Sequence, residues 1–197
     1  MKKKDLEMLL QRVGNFRDPD ASLEQYMTPA VIASDILFDA YSKGDVEGLK
    51  VVDLGCGTGM FSIGAWALGA SEVIGFDISG SALEVAEENR ASLGADVSFR
   101  NSDILSVDEG ADTIFMNPPF GCQNRNADRP FLDKAMELSE CVYSIHMANT
   151  LDFVKGYCEK RGRRVTYYRT YKYNIPNTFS FHTKTNKTVD VAVVNIR

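Results

Sequence analysis

The stretch VVDLGCGTGMFSIG, Val51 to Gly64, constrains the fold more than any other part of the chain. A β-prone apolar run ends at Leu54, glycines follow at Gly55, Gly57 and Gly59, and a segment of helical character begins at Met60. Glycines where strand passes into helix let the backbone turn sharply and approach a ligand, while the helix N-terminus adds N–H donors. The same rhythm continues downstream. The runs LKVVDL, SEVIGFD, DVSFR, ADTIFM, CVYSIH, RRVTYYRTY and TVDVAVVNI alternate with longer helical segments over most of the chain. This predicts an α/β domain whose mainly parallel, seven-stranded sheet carries helices on both faces through right-handed crossovers. The last two runs lack a helix between them and are expected to pair antiparallel through the polar loop NIPNTFSFHTKTNK.

With 197 residues and 44% apolar content, the chain is expected to form one domain over residues 1–197. Residues 1–45 read as helices packed on that domain, with Thr28 capping a helix that starts at Pro29. Ser79 or Ser81 is expected to cap the helix in SGSALEVAEENRASLG. Asp5 and Glu7 interrupt the N-terminal segment where a signal peptide or spanning helix would need an unbroken apolar run, so no membrane partner is expected and the location is expected to be cytoplasmic. Cys56, Cys122, Cys141 and Cys158 form no C-x-x-C pair and read as reduced thiols, with no metal site.

The net charge of -5 argues against nucleic acid, but its distribution is uneven. Lys155, Lys160, Arg161, Arg163, Arg164, Arg169 and Lys172 stand against Glu159 alone, a local +6 on a body of -11. Two readings stay open for this run: a basic binding surface, or a solvated helix end followed by an edge strand.

The glycine spacing is G-x-G-x-G, whereas the dinucleotide fingerprint is G-x-G-x-x-G. Asp53, just ahead of the glycines, suits a cation better than a pyrophosphate, so a ligand with sulfonium and ammonium groups fits. Asp77 ends the second strand run, where an acid can accept from both hydroxyls of a ribose; the alternative is a helix cap. Asp103, in a polar loop after the third strand run, can accept from an adenine amino group and Ile104 can pack on its ring; the alternative for Asp103 is a simple turn residue. After the fourth strand run comes Asn117-Pro118-Pro119-Phe120-Gly121, a costly way to make a simple turn.

DLGCGTG, an acid after the second strand, an Asp after the third and NPPF after the fourth together resemble a class I S-adenosylmethionine-dependent methyltransferase. The resemblance implies a Rossmann-like sheet with an antiparallel last strand and S-adenosyl-L-methionine as cofactor. An exocyclic amine on adenine is a poor nucleophile because its lone pair is delocalised into the ring. The Asn117 side-chain oxygen and the Pro118 carbonyl can take its two hydrogens and favour a tetrahedral nitrogen in the transition state. Pro118 and Pro119 stiffen that pair of acceptors, and Phe120 offers a stacking face worth about 1–3 kcal/mol.

LEQYMTPAVIA, MNPPFG with VYSIH, and FSFHTK are similar to methyltransferase-like protein five and its archaeal relatives, which act on adenine N6 in small-subunit ribosomal RNA. Carried over, Gln25 and Thr28 close over the cofactor, making residues 1–45 a cofactor-closing segment. Gly55 and Thr58 line its loop, with Asp53, Gly57 and Gly59 beside them, and Asp77, Asp103 and Ile104 hold its adenosine. Phe181, His182 and Lys184 are expected near the target base or its RNA, and Arg163 and Arg164 on the RNA surface, while His146 reads as structural. The resemblance also implies a small zinc-binding activator protein as partner. Competing readings are a protein glutamine N5-methyltransferase and a non-catalytic ribosome-assembly scaffold.

Overall fold

The computed structural model describes residues 1–121, 126–176 and 186–197. Its elements are α1 (Lys3–Leu10), α2 (Ala30–Ser42), β1 (Lys50–Leu54), α3 (Met60–Ala67), β2 (Glu72–Asp77), α4 (Gly80–Leu93), β3 (Ser98–Asn101), β4 (Thr113–Met116), α5 (Arg129–Leu138), β5 (Val142–Met147), α6 (Leu151–Glu159), β6 (Val165–Pro176) and β7 (Asn186–Ile196). Each predicted strand run overlaps one of these strands, and β6 and β7 extend beyond their runs, to Pro176 and back to Asn186, into the stretch expected to be loop.

The seven strands form one sheet in the order β3-β2-β1-β4-β5-β7-β6. β1 to β5 are parallel, and β7 runs antiparallel between β5 and β6. The last two strands form a long antiparallel pairing, from Val165 opposite Ile196 to Pro176 opposite Asn186.

Side chains alternate along each strand, so adjacent apolar residues feed opposite cores. Val51, Val73, Phe115 and Tyr143 join the core under α1, α2 and α3, whereas Val52, Ile74, Ile114 and Val142 join the core under α5 and α6. Burial on both faces explains why these strands read as unbroken apolar runs. The sheet order reverses between β1 and β4, and the segments after Leu54, Asp77 and Met116 leave from the same edge. In open α/β sheets this switch point is where ligands bind.

Two local expectations change. Ser79 Oγ does accept from the Ala82 N–H at the start of α4, but Thr28 does not cap α2, whose cap position is Pro29 with no side-chain bond. The Thr28 hydroxyl is held elsewhere, by Asn117. The basic run from Lys155 also loses much of its free charge: Arg161 pairs with Asp133 at 2.6 Å, Lys172 with Asp190 at 2.7 Å, and Arg163 with Glu140.

Candidate active site

A cavity of about 290 Å³ opens at the switch point. Its floor is the glycine loop. Gly55, Gly57 and Gly59 all have positive φ, between 53° and 89°. At Gly57 a Cβ would also stand 2.8 Å from Phe16 Cζ, so a side chain there meets both a backbone penalty and a steric one.

The alternation that buries Val51 under α3 points Asp53 the same way. Its Oδ2 accepts from the Ser62 N–H at 3.0 Å and the Ser62 hydroxyl at 2.6 Å. Its Oδ1 is buried and has no hydrogen-bond partner among the described residues. Burial pushes the Asp53 carboxyl up to about 7, against the two bonds from Ser62. A buried carboxylate oxygen left over at the cavity wall fits a cationic donor.

At the end of β2, Asp77 leaves the cap position of α4 to Ser79. Its Oδ2 accepts from Gly57 N–H and its Oδ1 from Ser79 N–H, each at 2.8 Å, tying β2 to the glycine loop. Each oxygen keeps a second lone pair toward the cavity that Asp77 lines. Burial pushes its carboxyl pKa above the ordinary carboxylate value, opposed by those bonds. Asp103 accepts from Leu105 N–H at 2.8 Å, which stabilises a 3-10 turn, and together with Ile104 it lines the same wall.

The opposite wall is the N-terminal segment. Phe16 and Ser22 through Thr28 face the cavity, Gln25 and Thr28 among them. Gln25 Oε1 accepts from Asp20 N–H at 2.8 Å, which folds this segment onto itself. Asn89 fastens the wall from behind: its side chain accepts from Gly14 N–H at 2.8 Å and donates to the carbonyls of Gly14 (3.1 Å) and Thr58 (3.0 Å).

At the far end stands Asn117. Its Nδ2 donates to Thr28 Oγ1 at 3.2 Å and to the Tyr173 hydroxyl at 3.4 Å. The Tyr173 hydroxyl in turn donates to the Met27 carbonyl at 3.2 Å. With its nitrogen held, the carboxamide leaves Oδ1 buried and without a partner among the described residues. The Tyr173 ring is fully buried, which pushes its hydroxyl up to about 12 and keeps it a neutral donor. Phe120 sits between two aromatic rings, stacked with Tyr26 at 6.3 Å and edge-on to Tyr173 at 6.1 Å.

Asn117 and Pro119 thus line the cavity with Gln25, Thr28, Asp53, Gly55, Gly57, Thr58, Asp77, Asp103 and Ile104. Gly59, Pro118 and Phe120 are not among the residues that line it. Phe181, His182 and Lys184 lie outside the described residues. Arg163 is not brought to the site. It lies where β6 begins, at the sheet edge opposite the cavity, and its guanidinium donates to the carbonyls of Met136 (2.8 Å) and Ser139 (2.9 Å) while pairing with Glu140. Its neighbour Arg164 is held there too, by backbone bonds to Arg197. The charge run pointed to a binding surface, but three acceptors at the end of α5 claim the Arg163 side chain. Glu24, Tyr26, Ser62 and Tyr173 shape the site without having been singled out from the sequence.

His146 is buried in a structural setting, with Nε2 2.7 Å from Ser144 Oγ and Nδ1 3.6 Å from Asp128. Among the described residues no group of His, Cys, Asp and Glu is placed to hold a metal ion, and no helix is long and apolar enough to cross a membrane.

A glycine loop over a buried acid, with NPPF at the next strand end, defines a class I methyltransferase. A family model described as a methyltransferase domain matches residues 45–163. The zebrafish (Danio rerio) rRNA N(6)-adenosine-methyltransferase METTL5 is 35% identical, covering 100% of this chain and 98% of that protein. The Drosophila melanogaster rRNA N(6)-adenosine-methyltransferase Mettl5 is 34% identical, over 97% of this chain and 94% of that protein. The crystal structure of PH1948 from Pyrococcus horikoshii, a candidate RNA methyltransferase, superposes with a TM-score of 0.93 at 40% identity, over 100% of this chain and 97% of that one. The chain belongs to the METTL5 family of methyltransferases.

Proposed function

We propose that this chain transfers a methyl group from S-adenosyl-L-methionine to adenine N6, at a site in small-subunit ribosomal RNA. One observation carries the reading: Asn117 has its nitrogen tied to Thr28 and Tyr173 and its buried oxygen left for a donor. An exocyclic amine supplies such a donor. The cofactor, when bound, supplies an electrophilic methyl group on a sulfonium centre.

The residues that would hold it are Asp53 for its ammonium group, Gly55, Gly57 and Thr58 along its length, and Asp77, Asp103 and Ile104 for its adenosine. Residues 1–45 act in this reading as a segment of the single domain that closes over the cofactor through Gln25 and Thr28. The Asn117 oxygen and the Pro118 carbonyl accept the two amine hydrogens, pulling the nitrogen toward tetrahedral geometry, and Phe120 stacks on the base. Most of the rate then comes from positioning, and solvent takes the proton after the methyl group has begun to transfer. A base paired in a duplex cannot reach the cavity, so the target is flipped out or single-stranded.

The same reading places the protein in the cytoplasm and gives it a small zinc-binding activator protein as partner. Full methyl transfer by the purified chain alone would remove the partner from it. The main test is incubation with labelled S-adenosylmethionine and RNA from ribosomal subunits, followed by digestion to nucleosides. Label in N6-methyladenosine from small-subunit RNA is expected. Label in ribosomal protein would overturn the assignment in favour of glutamine methylation, and no label either with or without the activator protein in favour of a scaffold.

A further inference from the structure

Glu24 is a buried residue, 6% exposed, in the left-handed backbone region at φ 51°. A non-glycine residue in that conformation is strained, and the surrounding structure has to hold it there. Its carboxylate accepts a hydrogen bond from the Phe120 N–H at 2.6 Å, across 96 positions of sequence.

The place of that bond matters because of the two prolines before it. Pro118 and Pro119 have no N–H, so Phe120 offers the first backbone donor after Asn117 by which the loop can be anchored. Anchoring it fixes the peptide plane between Pro119 and Phe120. Proline φ is locked, so only one soft torsion, ψ of Pro119, separates that plane from the one carrying the Pro118 carbonyl. Glu24 therefore aims the carbonyl that the proposed mechanism uses as its second acceptor. Nearby residues hold the same loop: Tyr26 stacks on Phe120 and Thr28 accepts from Asn117, while Met27 accepts from Tyr173, which itself accepts from Asn117. Glu24 to Thr28 also line the cavity, so the wall over the cofactor and the clamp on the base-binding loop are one segment.

We propose that Glu24 is a positioning residue for methyl transfer, acting through the Phe120 amide on the Pro118 carbonyl. This rests on the adenine-N6 reading for its activity measurement, but not for its structural one. The informative variant is Glu24→Gly, because glycine accepts the positive φ without strain and the change removes the carboxylate without a folding penalty from the backbone. Glu24→Gln keeps an acceptor oxygen at the same reach.

With RNA saturating, the single-turnover rate of Glu24→Gly is expected to fall about 10- to 100-fold. S-adenosylhomocysteine affinity should stay within a few fold and the melting temperature within a few degrees. Glu24→Gln should recover most of the lost rate, a rescue that a merely structural role at φ 51° does not predict. Hydrogen exchange at the Phe120 amide, measured without RNA, should be slow in wild type and Glu24→Gln and fast in Glu24→Gly. A wild-type rate in Glu24→Gly, a Glu24→Gln variant as slow as Glu24→Gly, or equal exchange in all three overturns the assignment. An exchange pattern as expected, in a wild-type protein that does not methylate adenine, overturns the substrate reading and leaves the Glu24 anchor standing.

Discussion

Thr28 Oγ1 accepts a hydrogen bond from Asn117 Nδ2 at 3.2 Å, joining residues 89 positions apart. The hydroxyl that the sequence offers to α2 as a cap is used instead to decide which end of the Asn117 carboxamide faces the cavity. Thr28→Val keeps the shape and removes the acceptor. Single-turnover methyl transfer should fall about tenfold while cofactor affinity changes little. Tyr173→Phe should cost less, because its bond to Nδ2 is longer at 3.4 Å. The double variant should show a coupling between the two, since both accept from the same Asn117 nitrogen. Strict additivity would mean that neither sets the orientation.

Asn117→Ala removes the oxygen itself. Transfer should drop below detection while S-adenosylhomocysteine affinity, read by calorimetry, stays within a few fold, since the bond is made to the target amine. Equal loss of both quantities would move Asn117 from the reacting amine to the cofactor.

Asp53 makes cofactor affinity depend on pH. Its folded-state value of about 7 lies above the ordinary carboxyl value of 3.8, so the free protein takes up this proton as pH falls through 7. A bound cation favours the carboxylate, so affinity should rise with pH to about 7 and level off above it. Stability of the cofactor-free protein runs the other way: the folded state holds the extra proton between about pH 4 and 7, so this group's contribution declines as pH rises through that window. Asp53→Asn should flatten both profiles, raising the melting temperature at pH 8 and leaving it nearly unchanged near pH 4. A cofactor affinity that is equally pH-dependent in the variant would place the titrating group elsewhere.

Arg163→Ala should act on stability alone. The guanidinium binds the Met136 and Ser139 carbonyls at the end of α5 with its side chain 13% exposed, whereas its partner Glu140 is 92% exposed and contributes little as an ion pair. Loss of the two carbonyl bonds should destabilise the fold by about 1–3 kcal/mol. The salt dependence of RNA binding should not change. A slope reduced by about one would put Arg163 back on the RNA surface.

The architecture was open to reading because local and global signals agree along β1 to β5. Val51-Val52, Val73-Ile74 and Ile114-Phe115 are apolar on both faces, which only a covered parallel sheet requires, and each strand passes into a glycine, a capping serine or a proline at the edge where the site lies. Asp53, Asp77 and Asn117 could be picked out because they sit at those strand ends. Tyr173 could not: YYRTYKYN presents several tyrosines, and only the sheet register shows which ring turns into the core. Glu24 carries no local signal, since its partner is a backbone amide far along the chain. The surroundings of Arg163 were not legible because charge can be counted from sequence while its acceptors, carbonyls at a helix end, depend on where α5 stops.

The Tyr173 hydroxyl, on the sixth of seven strands, orients an asparagine on the fourth and meets a carbonyl in the N-terminal segment. A ribosome making this protein therefore releases the glycine loop, NPPF and the N-terminal wall long before the residue that joins them. The carboxamide can be aimed only after β6 has been made, so the orientation of Asn117 is among the last features of the site to be completed during synthesis.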